Sequence, residues 1–258
     1  MRKLSYQEGQ TIIHCLYPLT KLCWLVLGTI FTFLLTNGYL LLIVSSVLLI
    51  VLIVINRDIW KVRGFRLVIA TGLILFTLYL IFDKSGSIVI NPGIPLLRIT
   101  SVGLNTGLRF SGRFFSIVFL SYIFILTTDP NQLAYSLMKV GLPYRYGFML
   151  VTALRLAPIL EKEAQTIYRA QLVRGVQYNG KNFKKIFLLM QQFLTPLLIS
   201  AIRRADKLVF SMEGRGFGRH KERTFRSQTS PTSLDMGVSV SLSIFFGILI
   251  LINYGVLT

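Results

Sequence analysis

Read from its amino terminus, the chain first settles into a long run without a charge, from Leu22 to Asn56. A single membrane span needs roughly 20 such residues, and Asn37-Gly38 places turn chemistry near the middle. The run therefore predicts a tight hairpin of two spans. Leu67 to Phe82 predicts a third span, and Phe114 to Thr128 a fourth, prolonged backwards through Gly103, Gly107 and Gly112. Met236 to Thr258 predicts a fifth. Several runs fall below the usual minimum of about 17 residues, which implies short helices, local bilayer thinning or snorkelling flanks.

Between the fourth and fifth runs the pattern changes. The segment from Asp129 to Gly237 carries 17 basic and 7 acidic side chains, too many to cross a bilayer, yet its apolar positions recur at helical steps. Asp129 and Pro130 open a short helix whose face is Leu133, Leu137 and Val140, stopped at Gly141-Leu142-Pro143. A second helix runs from Tyr144 towards Arg174, with Leu150, Leu154, Ala157, Leu160, Ala164, Ile167 and Gln171 at three- and four-residue steps. A third follows Gly180, with an aromatic stripe through Phe183, Phe187, Met190, Phe193, Leu194, Leu197 and on to Met212. At about 1.5 Å per residue both long helices approach roughly 50 Å, and Pro158 and Pro196 are expected to kink them. The third stripe holds more apolar area than one neighbour covers, which favours a partner protein. The fold class is an all-α integral membrane protein with about five transmembrane helices plus a module of one short and two long helices. Its segments are 1–128, 129–235 and 236–258.

Composition agrees: 53% of residues are hydrophobic and 15% charged, with a mean hydropathy of +0.64, whereas a soluble domain carries about 25% charge. The net charge of +18 would suggest nucleic acid in a soluble chain, but cytoplasmic loops of membrane proteins collect Lys and Arg. Placing the amino terminus inside and Thr258 outside puts 24 of 28 basic residues in the cytoplasm. Arg109 and Arg113 fall on the helix entering the membrane and are expected to snorkel to the outer surface. Met1 to Lys21 is too polar for a cleavable signal, and the apolar run beginning at Leu22 is too long for one.

Candidate chemistry is sparse. The two cysteines, Cys15 and Cys23, have neither disulfide nor metal spacing, and with only His14 and His220 a zinc site lacks ligands. Gly175 to Asn182 approaches a phosphate-binding loop, but Asn182 stands where Ser or Thr is needed and a helix precedes it instead of a strand. Glu161 and Glu163 lie on different helix faces, unsuited to paired acid-base work. No catalytic residue, cofactor site or metal site is expected.

The positive signal is a pair of endings. The second helix finishes in Val173-Arg174-Gly175 and the third in Gly214-Arg215-Gly216. Either alone is a common helix stop, with Gly in the left-handed cap and Arg at the negative helix end; Arg63-Gly64 shows how cheap the dipeptide is. The repetition on two helices of similar length is what a simple stop does not supply.

Ala170 to Gly175 and Ser211 to Phe217 resemble the two Ala-Arg-Gly motifs of the transmembrane T component of energy-coupling-factor (ECF) transporters, the group that includes the cobalt-transport permeases. His14-x-Leu16-x-Pro18-x-x-Lys21, Leu126 to Pro130, Arg155 to Pro158 with Glu163-Ala164-Gln165, and Lys221 to Thr224 with Asp235 resemble four further stretches of that family. Val173 and Gly214 replace the motif alanines, and Tyr17 and Leu19 an Asp and an Arg, while the arginines and following glycines are kept. The resemblance implies a non-catalytic scaffold in a prokaryotic plasma membrane. Two ATPase subunits would bind Val173, Arg174, Gly175 and Gly214, Arg215, Gly216. A membrane-embedded substrate-binding S component would rest on Phe187, Met190, Phe193, Leu194 and Leu197. The assembly would import a vitamin or metal ion, and neither cofactor nor nucleic acid is implied. The alternative is a membrane-embedded lipid-modifying enzyme with a basic cytoplasmic face, and a third class is a stand-alone channel or secondary transporter. The enzyme would need clustered acids or histidines, and the transporter polar residues within its spans; neither pattern is present.

Overall fold

The computed structural model describes residues 16–56, 59–60, 63–83, 88–90, 99–176, 183–217, 219 and 233–255. The elements in order are α1 (Pro18–Leu34), α2 (Gly38–Ile55), α3 (Arg63–Phe82), β1 (Ile88–Ile90), β2 (Ile99–Thr100), α4 (Ser101–Thr127), α5 (Pro130–Val140), α6 (Tyr144–Val173), α7 (Phe183–Gly214) and α8 (Ser233–Gly255). His14, Cys15, Gly180 to Asn182, His220 and Lys221 to Thr224 lie outside the described residues. The fold is all-α apart from the small antiparallel pairing of β1 with β2, which the hydropathy pattern does not announce. Two compact units divide the chain: Met1–Ser136 with Thr229–Thr258, and Leu137–Gln228.

In the first unit, stretches of α2, α3 and α4 (Gly38–Ile55, Gly64–Phe82 and Ser101–Thr127) are long and apolar enough to cross a membrane, while Pro18–Leu34 and Asp235–Ile248 are shorter apolar helices. The α1–α2 turn forms where predicted: the Asn37 side chain accepts from the Tyr39 N–H at 3.2 Å, capping α2. Thr100 does the same for α4, accepting from the Gly103 N–H at 3.1 Å while donating to the Asp83 carbonyl at 2.8 Å. Helix α4 is the post on which the unit is built, packing against α1, α2 and α3. Its small residues allow this, because lipid tails supply no hydrophobic drive between helices and close backbone approach must replace it. A Cβ on Gly112 would meet Leu41 at 3.1 Å. Apolar clusters fill either end, Leu52, Ile59, Phe65, Phe119, Tyr122 and Leu126 at one and Phe31, Leu35, Leu41 and Val44 at the other. Other large side chains, among them Val54, Leu67, Ile74 and Phe82, are exposed on the helix outsides, as bilayer-facing positions are.

Arg113 has defined partners at the end of α1. Its Nε donates to the Thr32 carbonyl at 3.2 Å and its Nη2 to those of Phe33 and Leu35, both at 3.3 Å, with the guanidinium 4.8 Å over the Phe33 ring. It closes the C-terminal end of α1, whose last carbonyls have no helical donors.

In the second unit α6 and α7 run antiparallel as a hairpin, with Pro158 and Pro196 inside them. Gln171 Nε2 donates to the Gln192 carbonyl at 3.2 Å, Glu163 binds Ser200 and Arg204, and Phe217 rests against Phe148 and Tyr144 with ring centroids 4.7 and 6.1 Å away. Contacts thus run from one end of the pair to the other.

Candidate functional site

The two Arg-Gly endings share the same glycine closure. After α6, the Gly175 N–H donates to the Leu172 carbonyl at 3.0 Å and the Val176 N–H to that of Gln171 at 3.1 Å, with Gly175 at φ +84. After α7, the Gly216 N–H donates to the Glu213 carbonyl at 2.9 Å and the Phe217 N–H to that of Met212 at 3.0 Å, with Gly216 at φ +69. This paired pattern satisfies carbonyls that the helix end leaves without donors, and its left-handed residue is cheap only for glycine.

The end of α5 shows what the arginines are not for. Gly141, at φ +127, donates to Met138 at 3.4 Å and Leu142 to Leu137 at 3.1 Å, the same closure with Val140 in the position that Arg174 and Arg215 occupy. The backbone turn therefore needs the glycine but not the cation. Both arginines are exposed, and neither guanidinium has a hydrogen-bonding or ionic partner among the described residues. Val173 beside the first is 89% exposed, and Gly175, Gly214 and Gly216 have open space where a Cβ would stand. Because α6 and α7 are antiparallel, the two tips lie at opposite ends of the hairpin.

The aromatic stripe of α7 is divided. Phe187, Met190 and Leu194 are exposed, continuing through Leu198 and Ile202 along one face. Phe193 and Leu197 are half-buried. They share the register of Ser200 and Arg204, the residues that bind α6. The five positions thus belong to two adjoining faces, one open and one turned towards the hairpin's own seam.

Sequence reasoning passed over the polar seam itself. The Glu163 carboxylate accepts from the Ser200 hydroxyl and, at 3.2 Å, from Arg204 Nη2. The Ser200 hydrogen bond, and after it the Arg204 guanidinium, hold the Glu163 carboxyl below its ordinary value.

Other stretches far apart in the sequence meet in the first unit. Buried Lys21 donates from Nζ to the Thr127 carbonyl at 2.8 Å, and the Tyr17 N–H donates to Oδ1 of buried Asp235 at 2.7 Å. The start of α1, the end of α4 and the start of α8 are tied at one place. Cys23 is a free, exposed thiol, and no cluster of three metal-ligating side chains occurs among the described residues.

Comparison with known proteins agrees with this architecture. The family model for the cobalt transport protein CbiQ matches residues 9–225. The energy-coupling factor transporter transmembrane protein EcfT of Listeria innocua is 31% identical over 255 residues, covering 93% of this chain and 95% of its own. Its namesake in Lactococcus lactis subsp. cremoris is 32% identical, with 95% of each chain covered, and that of Streptococcus equi subsp. equi 33% identical, over 85% of this chain and 84% of its own. A match that runs this far along the chain places it: it belongs to the CbiQ family of cobalt transport proteins, as a transmembrane component of energy-coupling factor transporters.

Proposed function

We propose that this chain is the energy-coupling scaffold of an importer for a vitamin or metal ion, joining two ATPase subunits to a membrane-embedded S component that binds the substrate. The observation that carries the reading is the pair of exposed arginines at matched helix ends, each unpartnered among the described residues and unnecessary for the turn it occupies. Arg supplies a permanent charge and a planar fork of donors suited to carboxylates or carbonyls in a groove, and the glycine after it lets the backbone turn away without a side chain in the path. The open face of α7 through Phe187, Met190 and Leu194 is the seat of the S component. ATP is hydrolysed on the partner subunits, and the α6–α7 hairpin passes their motion to the S component.

In the membrane, the charge distribution supports an inside amino terminus, an inside 129–237 segment and an outside Thr258. Pull-down of the ATPase subunits tests the reading. Arg174→Glu with Arg215→Glu is expected to abolish their recovery and substrate uptake while the S component, followed as a folding control, is retained. Reversing a charge in a paired site should cost about 2–5 kcal/mol, whereas arginines that only neutralise helix ends would cost about 1 kcal/mol and leave assembly normal. Full recovery with the double variant would overturn the coupling role.

A further inference from the structure

Glu163 and Arg204 are placed symmetrically with respect to the two helix ends. Arg174 follows Glu163 by 11 residues along α6, and Arg215 follows Arg204 by 11 along α7. Eleven residues make about three helical turns, so each tip arginine lies about 16 Å along the axis from the ion-pair residue of its own helix, on nearly the same face. Both prolines, Pro158 and Pro196, precede the ion pair in their helices, leaving each arm from crossing to tip free of proline. The pair is part-exposed, with Arg204 40% and Glu163 25% accessible. Contacts of that kind add little to stability but restrict which residues can face each other.

We propose that Glu163, through Ser200 and Arg204, is the fulcrum of the coupling hairpin, a positioning contact that fixes the register of α6 on α7 so that displacement of one tip is returned at the other and at the α7 face. The inference rests on the scaffold function above. A rigid crossing with equal arms makes the two ends move by similar amounts in opposite senses, which suits a scaffold driven by two ATPases acting together. Without the pair the helices still pack through Gln171 and Gln192 and through Phe148 and Phe217, but motion dissipates as sliding.

The experiment uses the complete transporter reconstituted in lipid vesicles, with substrate uptake and ATP hydrolysis measured on the same preparation. Glu163→Gln and Arg204→Gln are expected to keep both ATPases and the S component in the complex, to keep hydrolysing ATP, and to lose roughly 5-fold or more in substrate imported per ATP, the scale of a typical coupling free energy. The exchanged pair Glu163→Arg with Arg204→Glu should restore that ratio. An unchanged ratio in the single variants overturns the fulcrum, as does a parallel fall in uptake and hydrolysis, which marks a merely structural contact. Failure of the scaffold reading is distinct, since then the unaltered chain would bring down no ATPase subunits.

Discussion

Gly38 and Asn105 hold the start of α2 onto α4: the Gly38 N–H donates to Asn105 Oδ1 at 2.9 Å, and a Cβ on Gly38 would stand 2.5 Å from the Asn105 carbonyl oxygen. The obstacle is backbone, which cannot swing aside like a flexible side chain. Gly38→Ala is therefore expected to push α2 off α4 and to destabilise the protein by about 1–3 kcal/mol, the usual cost of overpacking. Thermal unfolding in detergent measures this. Gly237→Ala, in open space on α8, serves as the comparison and should be neutral or slightly stabilising.

Lys21→Met removes the donor that reaches the Thr127 carbonyl and should lower stability by about 1.5–3 kcal/mol, the worth of a hydrogen bond to a charged group. Lys21→Arg, which keeps a cationic donor, should lose less. The same unfolding assay ranks the two, and equal stability of Lys21→Met and the unaltered chain would remove the tie from the account.

The carboxyl of Glu163 is held below its ordinary value of 4.5, first by Ser200 and then by Arg204. A carboxyl with a lowered folded value stabilises above the unfolded value and loses that contribution as pH falls through the folded one. The contact is therefore expected to be constant from neutral pH down to the ordinary carboxyl range and to loosen below it. Hydrogen exchange of residues 163–204 against pH reads this out. Glu163→Gln should flatten the acidic change, and an identical profile in the variant would assign it to another group.

On α7, Phe187→Ser and Leu198→Ser alter the open face and are expected to release the S component while the ATPases stay bound. Phe193→Ser, half-buried on the seam side, should disturb the hairpin and weaken both partners together. Affinity recovery of each subunit separates these outcomes, and loss of both partners from Phe187→Ser would place that side chain in the hairpin's own packing.

Membrane orientation is tested by impermeant thiol labelling on a cysteine-free background. A cysteine at Lys181 is expected to react only from the cytoplasmic side and one at Thr258 only from outside. Reversed labelling would invert the assignment of the basic segment.

Uncharged runs marked the membrane helices, because backbone in lipid must satisfy its hydrogen bonds within a helix, and apolar steps of three and four marked α6 and α7. Asn37, Gly141, Gly175 and Gly216 marked the turns for an equally local reason: side-chain capping and left-handed backbone act within a few residues. The family, too, was legible in short motifs around Arg174 and Arg215. What the sequence withheld was pairing across distance. That Lys21 reaches Thr127, Tyr17 reaches Asp235 and Arg113 closes α1 depends on how helices far apart in the chain are rotated against one another. The same holds for the α7 stripe, where Phe187 and Phe193 look alike in a periodic pattern and only packing turns one outward and the other to the seam. Local rules set the helices and their ends; the contact surfaces between them, and with these the Glu163–Arg204 crossing, are a product of tertiary structure.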